Sequence, residues 1–317
     1  MIRLKFRFLL VCAICSQGFG STTAVAQAPA VSSPSGSPKG DDNSFPGLRV
    51  VDLIAINKDG RPLTDLKPEE LRLFEDKAEQ KIKSFSPAAN QPLTIGLFFD
   101  VSGSRRADTH VTDETRLTSE LVHTVWHDGV TAFLVSFSSD VIALTQPTQK
   151  PEEIDRGLKQ VPDDHRGSTS VYDALCSVRP EFLAETPGRK AYIVFSDFED
   201  NSSRNKADCV LDVAHGARVA IFPVVLSGDF TGEQSKKAEK RGREQAQEFA
   251  NETGGEVLIP ESPKQLTLVF QRLAADLQSA YRITYVSSSP ISQDKRKRSK
   301  LRLETTRAGV KLLCPKR

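Results

Sequence analysis

Leu93-Thr-Ile-Gly-Leu-Phe-Phe-Asp-Val-Ser-Gly-Ser104 is the stretch on which the fold turns. Its first seven residues are an unbroken run dominated by apolar side chains. A strand with water on one face alternates polar and apolar residues; an unbroken run belongs to a strand covered on both faces, as in a parallel sheet. The run ends abruptly in Asp100, followed by Ser102 and Ser104, with Gly103 letting the loop bend. One carboxylate and two hydroxyls therefore leave a strand end together.

Outward from this strand the rhythm alternates. Thr131–Phe137, Val141–Leu144, Ala191–Phe195, Val219–Leu226 and Glu256–Ile259 read as strands. Ser119–Val130, Pro151–Val161, Val171–Phe182, Asn205–Ala217, Glu233–Thr253 and Pro263–Ser279 carry helical spacing. Strands alternating with helices predict a doubly wound α/β fold with an open, mostly parallel central sheet. Ligands of such sheets bind beyond the carboxyl ends of the strands, so the residues following each strand are the candidates. Strand Ala191–Phe195 runs into Ser196-Asp-Phe-Glu-Asp200, and Arg166-Gly-Ser-Thr-Ser170 opens the helix that starts at Val171. These loops offer carboxylates and hydroxyls but no Cys, and no His beyond His165 just before them. That hard-oxygen set suits Mg²⁺ or Mn²⁺, whereas Zn²⁺ prefers nitrogen or sulfur and Ca²⁺ more carboxylates.

With these residues in place the chain resembles the von Willebrand factor A domain family over roughly residues 92–280. Its metal-ion-dependent adhesion site reads Asp-x-Ser-x-Ser, then a distant Thr, then a distant Asp. Asp100, Ser102 and Ser104 match the first element, Thr169 the second and Asp197 the third. Where the family often has Gly after that last Asp, this chain has Phe198. The resemblance implies that Ser102, Ser104 and Thr169 ligate the ion directly or through water, that Asp100 and Asp197 supply charge, and that a Glu or Asp of a protein partner completes the shell.

On either side the period falls to two. Leu48–Ile56, Leu71–Phe74 and Gln80–Phe85 are predicted strands, with Asp59-Gly60 a hairpin signal after the first. Ala280–Val286, Leu301–Thr305 and Val310–Leu313 are strand-like at the other end. Three short strands are too few to be stable alone, so the N-terminal strands (residues 47–88) and the C-terminal ones (281–317) are expected to close one small β unit flanking the larger domain. Val51–Ala55, Leu71–Asp76, Ile82–Phe85, Ala250–Glu256 and Ser279–Tyr285 also resemble a secreted, acidobacterial-type group of the same family.

The chain begins with Arg3, Lys5 and Arg7, an apolar run from Phe8 to Cys15 and a small-x-small pattern ending at Ala26. This is the form of a secretory signal peptide spanning residues 1–26, an uncleaved anchor being the alternative. Residues 27–46 are rich in Ala, Pro, Ser and Gly and read as a linker. The expected location is periplasmic or extracellular, with no membrane span in the mature chain. Removing the signal leaves Cys176, Cys209 and Cys314, an odd number that allows one disulfide and one thiol; Cys176 with Cys209 is one pairing, and two small buried apolar side chains is the other reading.

With 43 basic and 41 acidic residues the chain is nearly neutral, which argues against a nucleic-acid binder. The basic run Asp294–Lys300 reads as a solvated hairpin tip before an anion-binding arm. Asp173 is expected to brace the metal loops, Glu199 and Asp200 to rim them, and Asp140, Asp163 and Asp164 to be solvated. His123 and His127 have metal spacing but no third ligand, and His165 is the one imidazole close to the loops in sequence. The expectation is an exported, non-enzymatic, metal-dependent adhesion-type module. The alternatives are a structural envelope protein without metal function, and a metal-assisted hydrolase.

Overall fold

The computed structural model describes residues 47–105, 111–162, 166–226, 233–288 and 299–317. The predicted signal and linker, Asp163, Asp164, His165 and most of the basic run 294–300 lie outside them.

In chain order the elements are β1 (Leu48–Ile56), β2 (Leu71–Glu75), β3 (Ala78–Gln80), β4 (Ile82–Pro87), β5 (Leu93–Asp100), α1 (Val111–Val125), β6 (Val130–Phe137), β7 (Val141–Thr148), α2 (Pro151–Leu158), α3 (Val171–Cys176), α4 (Pro180–Glu185), β8 (Arg189–Ser196), α5 (Ala207–Ala217), β9 (Val219–Val225), α6 (Glu233–Thr253), α7 (Pro263–Gln278), β10 (Tyr281–Val286), β11 (Leu301–Thr305) and β12 (Lys311–Leu313).

The central sheet runs β7-β6-β5-β8-β9. β5 pairs in parallel with β6 and β8, and β8 with β9, while β7 folds back antiparallel as an edge. All eight residues of β5 are buried, as its unbroken run predicts. Leu93, Ile95, Leu97 and Phe99 face a core shared with α1, α2 and α7; Phe98 faces the opposite core with α3, α5 and α6. Each such side chain contributes about 1.5–3 kcal/mol by leaving water, so the strand that delivers Asp100 is anchored on both sides. This is the doubly wound α/β sheet that the sequence predicts.

Residues 256–259 do not form a sixth strand. Leu258 makes one parallel bridge to Val224, with Leu258 N donating to Pro223 O and Val225 N to Leu258 O, both 2.8 Å. Continuing the ladder in one direction needs the N–H of Pro223 and in the other the N–H of Pro260, and proline has none. The predicted helix 171–182 is two helices, because Pro180 starts the second and holds Arg179 at ψ 124°, out of helical conformation.

The terminal strands form two sheets rather than one, β12-β1-β10-β4 and β11-β2-β3. The predicted strand 80–85 breaks at Lys81, where the chain passes from β3 in one sheet to β4 in the other. Val51, Leu53, Leu71, Leu73, Ile283 and Tyr285 belong to their common core. Tyr281 ties it further, its hydroxyl donating to Leu63 O at 2.9 Å and accepting from Leu66 N at 3.1 Å. No helix among the described residues is long and apolar enough to cross a membrane.

Candidate metal centre

Asp100 is the last residue of β5, and Asp197 follows the last residue of β8, its parallel neighbour. Adjacent parallel strands end side by side, so the pairing brings the two carboxylates to one edge of the sheet. Both are buried, at 1% and 2% exposure. A buried carboxylate is costly unless its oxygens are satisfied. Asp100 Oδ1 accepts the backbone N–H of Ser102 at 2.9 Å, turning the loop back on itself. Its Oδ2 accepts the hydroxyl of Ser196 at 2.5 Å, and Ser196 Oγ in turn accepts Phe198 N at 2.9 Å. Ser196 thus fastens the first loop to the third.

The second loop is laced to both. Gly103 N donates to Gly167 O and Arg166 N to Val101 O, each at 3.0 Å. Thr169 N donates to Asn201 Oδ1 at 2.9 Å, and Thr169 O accepts from Asn201 N and Ser202 N at 3.0 Å. Ser170 Oγ donates to Ser138 O on the turn after β6. Ser102 and Thr169 are buried, at 0% and 1%, and Ser104 is half-buried. The five predicted residues therefore stand on three loops that hydrogen-bond to one another.

Two observations test whether this set fits a hard divalent ion. Ser102 Oγ and Ser104 Oγ are hydrogen-bonded to each other at 3.0 Å. Adjacent ligands of an octahedral ion with bonds of about 2.1 Å are separated by roughly 3.0 Å, so the hydroxyl pair matches one edge of such a shell. Asp197 Oδ1 accepts Glu199 N at 3.0 Å, while Oδ2 is buried without a hydrogen-bond partner among the described residues. An orphaned buried carboxylate oxygen calls for a cation or a water. The residues fit Mg²⁺ or Mn²⁺. Among the described residues there is no group of three or more His, Cys, Asp or Glu able to hold a metal.

The other acidic side chains have different partners. Asp173 accepts Arg204 N at 3.0 Å and both Asn205 N and Asn205 Nδ2 at 2.8 Å. Burial alone would raise its pKa, and these hydrogen bonds hold it below the usual range. Asp200, half-buried, joins the third loop to the helix start after the second: its Oδ2 accepts Tyr172 N at 3.1 Å and Ser203 Oγ at 2.5 Å. Burial, then the neighbouring Asp197, pushes the Glu199 carboxyl up, against a lowering by Arg241. The described histidines lie elsewhere: His123 contacts Asp155 at 2.9 Å, His127 the carbonyl of Asp128 at 2.8 Å, and His215 the carbonyl of Glu252 at 3.1 Å.

Phe198 adopts φ +59°, the left-handed region that a Gly would occupy without strain. Its ring is 1% exposed, in the core beneath α3, α5 and α6, so ring burial offsets the backbone cost. Gly242 on α6 lies against the same loop: a Cβ there would sit 2.3 Å from Asp197 O. Cys176 and Cys209 form a disulfide that joins α3, which follows the Thr169 loop, to α5, which follows the Asp197 loop. The sequence reading assigned no role to Ser196, Asn201 or Gly242. Ser196 was accessible as the strand residue next to Asp197, whereas Gly242 lies 45 residues away on a polar helix and carries no local signal.

No protein-family model and no curated protein matches the sequence. Among solved structures the chain is similar to a von Willebrand factor type A protein from Catenulispora acidiphila, at 12% identity and TM-score 0.46, covering 88% of this chain and 75% of that one. It is also similar to an aerotolerance-related membrane protein from Bacteroides fragilis, at 16% identity and TM-score 0.42, covering 57% of this chain and 98% of that one. Proximal thread matrix protein 1 of the mussel byssus shares 15% identity at TM-score 0.48, with 64% of this chain and 51% of that one covered.

Proposed function

We propose that the chain is an exported, non-catalytic protein-binding module whose three loops hold Mg²⁺ or Mn²⁺ and capture a Glu or Asp side chain of a protein partner. The observation that carries this reading is the buried, unpartnered Asp197 Oδ2 on loops that also present the Ser102–Ser104 hydroxyl pair. Ser102, Ser104 and Thr169 offer neutral oxygens; Asp100 and Asp197 offer the charge. The bound ion would supply the attraction for the partner's carboxylate, and a donor set with only two carboxylates leaves that attraction largely unspent. Asp100 is held in place by Ser102 N and Ser196 Oγ, so it needs no reordering when the site fills. The basic, apolar and small-residue order of residues 1–26 supports export.

The test is an array of peptides that each carry a single Glu, paired with their Gln counterparts, probed with the chain in Mg²⁺, in Mn²⁺ and in chelator. Capture of Glu peptides that is lost both in chelator and with Gln supports the proposal. Capture that is indifferent to chelator contradicts it.

A further inference from the structure

The opposite end of the central sheet holds a second buried charge. Arg189 opens β8 and is 6% exposed. Its backbone N donates to Pro92 O at 2.9 Å and its Nη2 to Leu277 O at 2.6 Å, while Nε is buried without a partner. No carboxylate among the described residues pairs with it. Asp52 lies near, but Arg282 takes both of its oxygens, at 2.7 and 2.9 Å. Burial, partly offset by Asp52, lowers the Arg189 pKa to about 10, which still leaves the guanidinium charged at neutral pH. A buried charge without a counter-charge is among the costliest features a fold can carry.

Arg189 lines a cavity of about 90 Å³ between the start of the sheet, strand β1 and the end of α7. Its walls include Ile54, Ala220, Phe222 and Leu277, and also the charged Asp52, Lys190, Arg218 and Arg317. At about 15 Å³ for each water-sized group, this volume takes roughly six non-hydrogen atoms. Four basic side chains, Arg189 among them, outnumber the one carboxylate on this lining, and apolar groups make up most of the remaining wall; that combination suits a ligand with one anionic head and a short hydrocarbon tail.

We propose that this cavity binds a short-chain monocarboxylate of about four carbons, its carboxylate paired with Arg189 and its tail against Ile54, Phe222 and Leu277. The site is independent of the metal loops. β8 separates them, and its eight residues span roughly 23 Å between Arg189 and Ser196.

The test is calorimetric titration of the full chain with butyrate, with butan-1-ol as the uncharged analogue and chloride at matched ionic strength as the ionic control, each with and without chelator. The expected result is saturable one-to-one butyrate binding that chelator does not alter. Butan-1-ol binding and butyrate binding to Arg189→Met should be weaker by roughly tenfold or more. Arg189→Met should melt at the same temperature as wild type or higher in ligand-free buffer, because it removes an unpaired buried charge. Ala220→Leu, which fills the chamber and keeps the guanidinium, should also lose butyrate binding. No saturable binding to wild type, equal affinity in Arg189→Met, or an equal response to chloride would overturn the proposal.

Discussion

At the carboxyl ends of β5 and β8 the buried charges are negative and tethered. Asp100 spends its oxygens on Ser102 N and Ser196 Oγ, and Asp197 spends one on Glu199 N. At the amino ends of the same two strands the buried charge is positive: Arg189 has a carbonyl on Nη2 and no partner on Nε. The polar end is built from loops that brace one another through backbone hydrogen bonds. The other end is a joint between the sheet and the terminal strands, its cavity lined by apolar side chains and by Arg189, Arg218 and Arg317. One sheet therefore carries an unpartnered buried carboxylate oxygen, Asp197 Oδ2, at one end and an unpartnered guanidinium nitrogen, Arg189 Nε, at the other.

The comparison breaks most sharply at Asp100. Asp100→Ala should abolish Mg²⁺ and Mn²⁺ binding while leaving the folded far-ultraviolet spectrum intact and butyrate binding unchanged. A variant that loses both ligands would mean that the two ends are not separate sites. Next in size is Phe198. Phe198→Ala removes a buried ring and should cost about 3–5 kcal/mol in denaturant unfolding. Phe198→Gly should cost about 1 kcal/mol less despite being smaller, because Gly relieves the left-handed backbone. If Ala is the better tolerated of the two, backbone strain is not part of the loop. The disulfide closes a loop across 33 residues, which corresponds to about 3–4 kcal/mol. Cys176→Ala with Cys209→Ala should lower the melting temperature and weaken Mg²⁺ affinity, since the helices behind two of the metal loops come untied; butyrate affinity should not move.

The last test concerns α7. Asp276 is 1% exposed, and burial, with Glu256 adding to it and Arg272 opposing it, raises its pKa to about 7. The folded state therefore holds a proton that the unfolded chain releases near pH 4. The associated stability is fully present below about pH 4 and is lost as pH rises toward 7, at no more than about 1.4 kcal/mol per pH unit. Asp276→Asn should flatten the pH dependence of the melting temperature in that window. An unchanged slope would place the titration elsewhere.

Much of this was legible in the sequence. The unbroken run of β5, the alternation around it and the Asp100–Ser104 loop each carry their signal within a dozen residues. Failures arose where the deciding partner lies far away. Residues 256–259 have strand character, yet Pro223 and Pro260 remove the bonds that a sixth strand needs. The strand expected at 80–85 is divided because its halves serve different sheets, a choice made by β2 and β10. At the metal loops the five oxygen-bearing residues could be listed from the sequence, but Asn201 and Gly242, which hold the backbone around them, could not. Arg189 was invisible for a similar reason. Next to Gly188 and Lys190 it reads as a solvated turn residue, and only the packing of β1 and α7 over the strand start buries it.

The most direct measurement is calorimetric titration of wild-type chain and Asp100→Ala with Mg²⁺ and Mn²⁺. Saturable binding at one site in wild type, absent in Asp100→Ala, is the result predicted by a metal centre built on Asp100, Ser102, Ser104, Thr169 and Asp197. Equal binding by the two proteins, or none by wild type, would contradict it.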